Sequence, residues 1–355
     1  MARDVARESR AMSTREQLVA ITIVLALGGA CQPGALSGGA DAGRTTGGES
    51  DSGQQTGGGA WRPFASSSPW NTRIPDDVAI RPDSDALMEH MRTSSEFPGL
   101  SVSIHPWSVP VYDVDASMPL VRVITPLSNE GEAHTFMWPV PAGAQPAPEG
   151  DGHLALIDRA SGRAYDFFQA RPRGDGAWDC ALCSTIDLSG SGVRPPKGGS
   201  SPWYESHGSR ACGFPLIAGL VRVEEIRAGR IDHALVIAYP GIRQRFFTSP
   251  ASTGHPANGL ISPDRGIPCG GRVQLDPSID VDALGLSPTG RIIARALQEY
   301  GAYVGDFSGS INLYADGSPD ARAAWEGGML STGETGPIRF EDMRVVEWGE
   351  LRSDG

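Results

Sequence analysis

The feature of this sequence that most limits its fold is a series of short apolar segments, alternating or rich in β-branched residues. Gly, Pro, Asp or Ser bound each segment, and these residues favour turns. Six segments predict strands: 109–114, 120–124, 153–158, 163–168, 231–238 and 272–275. Residues 159–162 (RASG) join two of them as a predicted hairpin turn.

Three segments have the spacing of helices: 84–91, 223–228 and 288–300. In the last, Ser287 is a suitable N-cap, Pro288 suits the first helical turn, and Gly301 follows as a C-cap. Segments 302–315 and 338–348 again have strand character. The sequence therefore predicts a mainly β domain, an antiparallel sandwich or jelly-roll-like fold, with a few packed helices and the longest near 288–300.

The aromatic residues mark the folding domain. All 8 Trp, 7 Tyr and 10 Phe lie at or after Trp61, so we expect one β-rich domain over 61–355. Residues 1–30 read as a signal peptide, because the apolar run 18–27 is too short to span a bilayer. Residues 31–60 are rich in Gly and predict a flexible tether.

Cys31 follows small residues in a pattern that resembles the lipobox of bacterial lipoproteins. The resemblance implies lipidation of Cys31, and Gln32 after it implies the outer membrane in a Gram-negative cell. The alternative is ordinary cleavage, which gives a periplasmic or secreted protein with a free Cys31. In either case we expect an extracytoplasmic protein whose only membrane contact is a lipid anchor.

Four further cysteines, Cys180, Cys183, Cys212 and Cys269, lie in the predicted domain. Export to an oxidising compartment favours two disulfides over a zinc site, which would lack a second C-x-x-C or a pair of histidines. A bond between Cys180 and Cys183 is the least expected pairing, because so small a ring is strained. The sequence leaves the pairing open.

The net charge of −12 and the absence of a basic run argue against a nucleic-acid partner. No H-E-x-x-H, G-x-S-x-G or P-loop motif occurs, so the sequence gives no support to zinc proteases, serine hydrolases of that type or nucleotide-binding proteins.

Three histidines and one aspartate are the candidate catalytic residues. Asp151 and His153 share a strand face if both lie in extended backbone, where the carboxylate could orient the imidazole. His233 lies among apolar strand residues and His255 in a Gly/Pro-rich loop. Gathered at one cleft, the four could transfer protons near neutral pH or bind a divalent metal. The plainer alternative, strongest for His233, is a hydrogen-bonded core histidine.

Three more residues are candidates for substrate binding. Trp178 and Trp203 lie in loops, where an exposed indole could stack on a sugar ring or a buried one could fill a core edge. Gln169 ends a strand and could bind a substrate hydroxyl, or simply face solvent.

Several segments together resemble an uncharacterised family of secreted bacterial proteins, often found beside carbohydrate-binding modules. They are 68–71 (SPWN), 152–158 (GHLALID), 213–222 (GFPLIAGLVR), 231–235 (IDHAL) and the helix that ends at Tyr300 and Gly301. The resemblance covers nearly all of 61–355, and the family's recurring polar residues match His153, Asp158 and His233. Residues 306–309 (DFSG) depart from its pattern.

The resemblance implies an extracytoplasmic domain with a carbohydrate partner, a polysaccharide or cell-wall glycan. As an enzyme, the chain would cleave glycosidic bonds by His-assisted hydrolysis or β-elimination. The alternative is a surface lipoprotein that binds carbohydrate without catalysis. No cofactor is implied beyond the metal that the histidines could hold.

Overall fold

Each segment predicted as a strand contains at least one strand of the computed structural model, which describes residues 60–97, 99–128, 133–196, 208–255 and 265–353. Within these ranges, eight strands lie outside the predicted segments, and three of them are long: His134–Trp138, Leu182–Asp187 and Arg243–Phe247. In chain order the strands are β1 (Ser101–Ser103), β2 (Val111–Asp113), β3 (Val121–Thr125), β4 (His134–Trp138), β5 (Leu154–Asp158), β6 (Arg163–Phe168), β7 (Arg171–Pro172), β8 (Trp178–Asp179), β9 (Leu182–Asp187), β10 (Leu235–Ala238), β11 (Arg243–Phe247), β12 (Pro268–Cys269), β13 (Arg272–Leu275), β14 (Ala302–Asp306), β15 (Asn312–Tyr314), β16 (Met343–Val345) and β17 (Arg352–Ser353). The predicted signal peptide, lipid attachment at Cys31 and most of the tether fall outside the described residues.

The described part also contains the helices α1 (Ser84–Thr93), α2 (Val223–Ala228), α3 (Pro288–Glu299) and α4 (Pro319–Glu326). Helix α3 begins as predicted, because the Ser287 hydroxyl accepts a hydrogen bond from the Gly290 amide at 3.0 Å. Its buried face packs on β13, and Gly301 just beyond it has a left-handed φ of 64°. The long helix of the sequence analysis is thus confirmed.

Most of the strands form three sheets of mixed direction. The largest has the order β1-β15-β10-β14-β13-β16, and two four-stranded sheets have the orders β2-β5-β6-β9 and β4-β3-β8-β7. Strands β12, β11 and β17 form a smaller sheet. The mainly β fold class is confirmed, although each large sheet contains parallel as well as antiparallel pairs.

Strand β5 separates two hydrophobic cores. Ala155 and Ile157 belong to the main core, whereas Leu154 and Leu156 belong to a smaller core with the aromatic residues of β4 and β6. Because both faces are covered, all five residues of β5 are buried. The predicted hairpin is also present, since β5 and β6 pair from Leu154–Phe167 to Asp158–Arg163.

The cysteines pair as Cys180 with Cys183 and Cys212 with Cys269. The expectation against a Cys180–Cys183 bond was wrong. The chain turns a corner between β8 and β9, which leaves the two Cα atoms 6.2 Å apart, within the usual range for a disulfide.

None of the helices within the described ranges combines the length and the apolar character needed to cross a membrane.

Candidate functional site

Arg210 lies at the centre of a buried polar cluster. It belongs to segment 208–222, which contacts two sheets: the Leu216 amide donates to Asp166 of β6 at 2.7 Å, and the Val221 amide donates to the carbonyl of Tyr314 in β15 at 2.9 Å. The Cys212–Cys269 disulfide ties the segment to β12. Arg210 is therefore held in the interior, between the largest sheet and the sheet that contains β6.

The guanidinium of Arg210 is incompletely bonded. Its side chain is 0% exposed, and Nη2 donates to the Leu216 carbonyl oxygen at 3.2 Å. Its Nε and Nη1 have no hydrogen-bond partner among the described residues. A buried cation with unbonded donors is costly, and such groups concentrate where a protein binds a ligand or performs chemistry.

Asp306, at the end of β14, is the nearest acidic partner of Arg210. Its Oδ2 lies 4.0 Å from Arg210 Nη1, and its carboxyl is 16% exposed. The pKa of Asp306 is raised to about 7, mainly by burial; Arg210 opposes the rise and the charge of Asp151 adds to it. A carboxyl with this pKa can both donate and accept a proton near neutral pH.

Tyr314 lies under the guanidinium, with its ring centroid 4.2 Å from Arg210 Cζ. Burial and the charge of Asp306 raise the pKa of Tyr314 above its usual range. Its hydroxyl therefore stays protonated and can act as a hydrogen-bond donor.

Asp151 reaches the same cluster from the loop before β5. The main-chain amide of Gln169 donates a hydrogen bond to the main-chain carbonyl oxygen of Asp151 at 2.7 Å. Gly152, which follows Asp151, has a left-handed φ of 46°. Burial and the charge of Glu149 raise the pKa of Asp151, whereas Arg210 lowers it. The bend at Gly152 removes the extended backbone on which the predicted Asp151–His153 pairing depended.

His153 lies close enough to Arg210 to be affected by its charge. Burial lowers its pKa to about 3, with Arg210 contributing in the same direction and the Ser209 backbone opposing it. The side chain is almost fully enclosed and lies beside Phe168, with the ring centroids 5.8 Å apart. His153 is therefore a neutral imidazole at all but strongly acidic pH.

A cavity of about 360 Å³ adjoins the Asp151 loop. Its polar lining includes Gln145, Glu149, Gln169 and Arg171, together with the glycines on both sides of Asp151. Oε2 of Glu149 is buried without a hydrogen-bond partner among the described residues. Gln169, the predicted substrate-binding residue, has a left-handed φ of 54°, which is uncommon outside glycine and often occurs at functional sites.

His255 lies beside Phe307, and His233 has its partners elsewhere in the core. The His255 ring lies 5.5 Å from that of Phe307, the residue after Asp306. In contrast, Nε2 of His233 is 2.7 Å from Glu225 Oε1 and Nδ1 is 2.9 Å from the Ala234 carbonyl oxygen. Both ring nitrogens of His233 are thus engaged in the core, as the plainer alternative expected. The structure brings Asp151 and His153 to Arg210, places His255 beside Phe307, and leaves His233 apart.

Of the other predicted positions, two contribute to core packing or to a turn, and one lies outside the described residues. Trp178 is 7% exposed and packs edge-on against Phe167 in the smaller core, so its ring is enclosed. Asp158 accepts hydrogen bonds from the Ala160 and Ser161 amides and stabilises the hairpin turn. Trp203 lies outside the described residues.

Across the described ranges, the structure places no three His, Cys, Asp or Glu side chains close enough together to hold a metal ion. The histidines considered as metal ligands are thus not grouped in that part of the chain.

The strongest site residues, Arg210, Asp306 and Tyr314, were not among the predicted ones. Asp306 and Tyr314 lie on consecutive strands, whereas Arg210 comes from a distant segment, and their meeting depends on how β14, β15 and segment 208–222 assemble. A weak signal existed for Asp306, since it opens the stretch that departs from the family pattern. Arg210 had none beyond its position two residues before Cys212.

We name Arg210, Asp306, Asp151, Tyr314 and His153 the Arg210 cluster. It combines two carboxyls of raised pKa, a buried cation with unbonded donors, a protonated phenol and a neutral imidazole. This set of groups can donate a proton, accept one and stabilise negative charge.

Comparison with protein-family models, with curated proteins and with solved structures gives no significant match to this chain.

Proposed function

We propose that this chain is an extracytoplasmic enzyme that cleaves glycosidic bonds in a polysaccharide, with the Arg210 cluster as its acid–base centre. The observation that carries the proposal is the pair Arg210 and Asp306. A buried guanidinium, two of whose donor atoms have no hydrogen-bond partner among the described residues, lies 4.0 Å from a carboxyl whose pKa is raised to about 7, mainly by burial. A carboxyl of strongly raised pKa beside a buried cation is typical of catalytic sites.

Asp306 is the proton donor in this proposal. Near neutral pH a large share of its carboxyl is protonated, so it can protonate the glycosidic oxygen as the bond to the anomeric carbon breaks. Arg210 then stabilises the carboxylate that remains. Asp151 is the second carboxyl. In its ionised form it either activates the water that attacks the anomeric carbon, or attacks the anomeric carbon itself as the nucleophile.

β-Elimination is the second candidate reaction, favoured by the two unbonded donors of Arg210. A uronate in the substrate would offer its carboxylate to the guanidinium, which makes the proton on the adjacent carbon more acidic. A base in the cluster would remove that proton, and the glycosidic oxygen would leave with the proton of an acid.

The substrate in this proposal enters by the cavity beside Asp151, whose lining among the described residues includes both neighbours of Asp151 and no member of the Arg210 cluster, so the sugar must reach inward past the Asp151 loop. Sugars are bound by planar polar side chains that exchange hydrogen bonds with hydroxyls, and Gln145, Glu149 and Gln169 offer such groups there. The carbohydrate class itself comes from the resemblance of segments such as SPWN and GFPLIAGLVR to the secreted family. Trp178 adds no support, because its ring is in the smaller core.

Two disulfides favour an oxidising compartment outside the cytoplasm. The proposal includes a lipid on Cys31 that holds the domain at the outer membrane, with a periplasmic or secreted form as its alternative. The partner there is a polysaccharide or cell-wall glycan.

The test is to incubate the full chain with neutral and acidic polysaccharides and to measure new reducing ends and the ultraviolet absorbance of unsaturated uronates. Hydrolysis gives only the first signal and elimination gives both. Asp306→Asn and Arg210→Met should each reduce the rate by a factor of about 10²–10⁴. The exposed Asp77→Asn should leave it unchanged. A silent panel in which a glycan still binds would replace this proposal by the non-catalytic carbohydrate-binding lipoprotein.

A further inference from the structure

The reaction proposed above makes no use of Asp166, a carboxyl buried in the middle of β6. It is 0% exposed and pairs across the sheet with Ala155 and Ser184. Ala155 and Ala164, which share its face of the sheet, belong to the main hydrophobic core. A carboxyl on such a face is expensive to bury, and its Oδ1 has no hydrogen-bond partner among the described residues. Its presence therefore calls for a specific role.

Leu216 connects Asp166 to Arg210 through its main chain. The Leu216 amide donates to Asp166 Oδ2 at 2.7 Å, and the Leu216 carbonyl oxygen accepts from Arg210 Nη2 at 3.2 Å. Among the described residues, the Leu216 carbonyl is the one hydrogen-bond acceptor of the guanidinium, because Nε and Nη1 have no partner there. The position of the Leu216 main chain therefore controls the position of the guanidinium.

We propose that Asp166 is a positioning residue of the Arg210 cluster: by accepting the Leu216 amide it fixes the carbonyl that orients the Arg210 guanidinium towards Asp306 and Tyr314. The role of this orientation in catalysis rests on the proposed function. The orientation itself does not, because it follows from the two hydrogen bonds of Leu216.

The charges around Asp166 suggest one rival explanation. Arg194 also interacts with the charge of Asp166, as does Arg210 itself, and Nε of Arg194 is buried without a hydrogen-bond partner among the described residues. Asp166 could therefore serve only to balance Arg194. The two explanations differ, because the rival makes the Asp166 charge important and the positioning role makes its hydrogen-bond acceptor important.

The experiment compares Asp166→Asn, which keeps an acceptor for the Leu216 amide, with Asp166→Leu, which removes it. The main measurement is the pKa of Asp306, followed by carboxyl NMR titration of the full chain. A guanidinium released by Asp166→Leu lowers the pKa of Asp306 less, so we expect an upward shift of about half a unit or more, and little change in Asp166→Asn. Arg194→Met is the matched control and should leave Asp306 unchanged.

Thermal unfolding of each variant shows whether it is folded when the pKa of Asp306 is measured. Asp166→Leu should fold, because the leucine lies in apolar surroundings. If it does not fold, Asp166→Ala, which also lacks the acceptor, takes its place in the comparison. Three results would overturn the proposal: equal shifts of the Asp306 pKa in Asp166→Asn and Asp166→Leu, no shift in Asp166→Leu, or an equal shift in Arg194→Met.

If the pKa shift occurs while every polysaccharide is left intact, the proposed function fails and the positioning role stands. If the chain is active, the alkaline limb of its pH profile should move with the pKa of Asp306.

Discussion

The guanidinium of Arg210 lies over the ring of Tyr314, with Cζ 4.2 Å from the ring centroid. The face of an aromatic ring stabilises a desolvated cation without accepting its N–H groups in the usual way. This contact explains how Arg210 can be buried while Nε and Nη1 lack hydrogen-bond partners among the described residues. The N–H groups of Arg210 can therefore bind another group, and the Asp306 carboxyl lies 4.0 Å from Nη1.

Asp306→Asn should change how stability depends on pH. Burial raises the pKa of Asp306 from its ordinary 3.8 to about 7, so between these values the folded state binds a proton that the unfolded state does not. The wild type therefore loses stability as pH rises through this range, by up to about 1.4 kcal/mol per pH unit. Asn cannot ionise, so the free energy of unfolding of the variant, relative to the wild type, should increase from about pH 4 to about pH 7.

Chemical denaturation at several pH values measures this difference. Asp77→Asn, at an exposed position, should give a difference that is nearly independent of pH. A constant difference for Asp306→Asn as well would show that the carboxyl is ionised in the folded protein at acidic pH.

His153→Gln should give the opposite trend. Burial and Arg210 lower the pKa of His153 to about 3, so below its ordinary value of 6.5 the unfolded state binds a proton that the folded state does not. The wild type therefore gains stability as pH rises from about 3 to about 6.5, and the variant lacks this gain. Relative to the wild type, the stability of His153→Gln should increase as the pH falls through the same range.

Ring-carbon NMR titration tests this prediction directly. The His153 signal should keep its neutral position at about pH 5, where an ordinary imidazole is mostly charged. A midpoint near the ordinary value would contradict the structure and would restore His153 as an acid–base group.

Gln169→Ala and Gln169→Gly should differ in stability and agree in substrate binding. Both remove the amide that lines the cavity, so both should raise KM for a cleaved glycan by a similar factor. Only Gly adopts the left-handed φ of 54° without strain, so Gln169→Gly should be more stable than Gln169→Ala by about 1 kcal/mol. Denaturation and steady-state kinetics provide the two measurements. Equal stability would mean that the backbone at 169 relaxes, and an unchanged KM would place the substrate elsewhere.

Local features of the sequence predicted about half of the strands and three of the four helices in the described part of the chain, and missed the longer strands β4, β9 and β11. Ser287 and Pro288 set the start of α3, and the short turn 159–162 set the register of β5 and β6. Both depend on contacts between residues close in sequence. Helix α4 was not predicted, although Ser318 and Pro319 have the same capping pattern, because its short apolar face resembles a loop in sequence.

The candidate site was predicted only in part, because its groups come from distant segments. Asp151 and Gln169 lie where local strand signals placed them, next to each other at the open end of the β5–β6 hairpin. Arg210 and Asp306 meet through the packing of segment 208–222 against β14, where the Cys212 amide donates to the Gly305 carbonyl oxygen at 3.3 Å. No period or motif reports such a contact. His233 illustrates the converse, since its partner Glu225 lies eight residues away in α2 and completes a core hydrogen bond.

The pairing of the cysteines leads to the last prediction, that the two disulfides contribute unequally to stability. Cys212–Cys269 closes a loop with a sequence separation of 57, and Cys180–Cys183 one with a separation of 3. Loop-closure entropy then gives about 4 kcal/mol for the first bond and about 2 kcal/mol for the second. The double variant Cys212→Ser with Cys269→Ser should therefore unfold at lower denaturant than Cys180→Ser with Cys183→Ser.

Only the first pair should also impair the Arg210 cluster. Cys212 lies two residues after Arg210 and fixes the segment that carries it, whereas Cys180 and Cys183 border the smaller core. At a denaturant concentration where both double variants are folded, the pKa of Asp306 should rise in the Cys212–Cys269 variant alone, because Arg210 then opposes the effect of burial less. Equal unfolding midpoints together with an unchanged Asp306 titration would mean that hydrogen bonds, and not this disulfide, hold segment 208–222 in place.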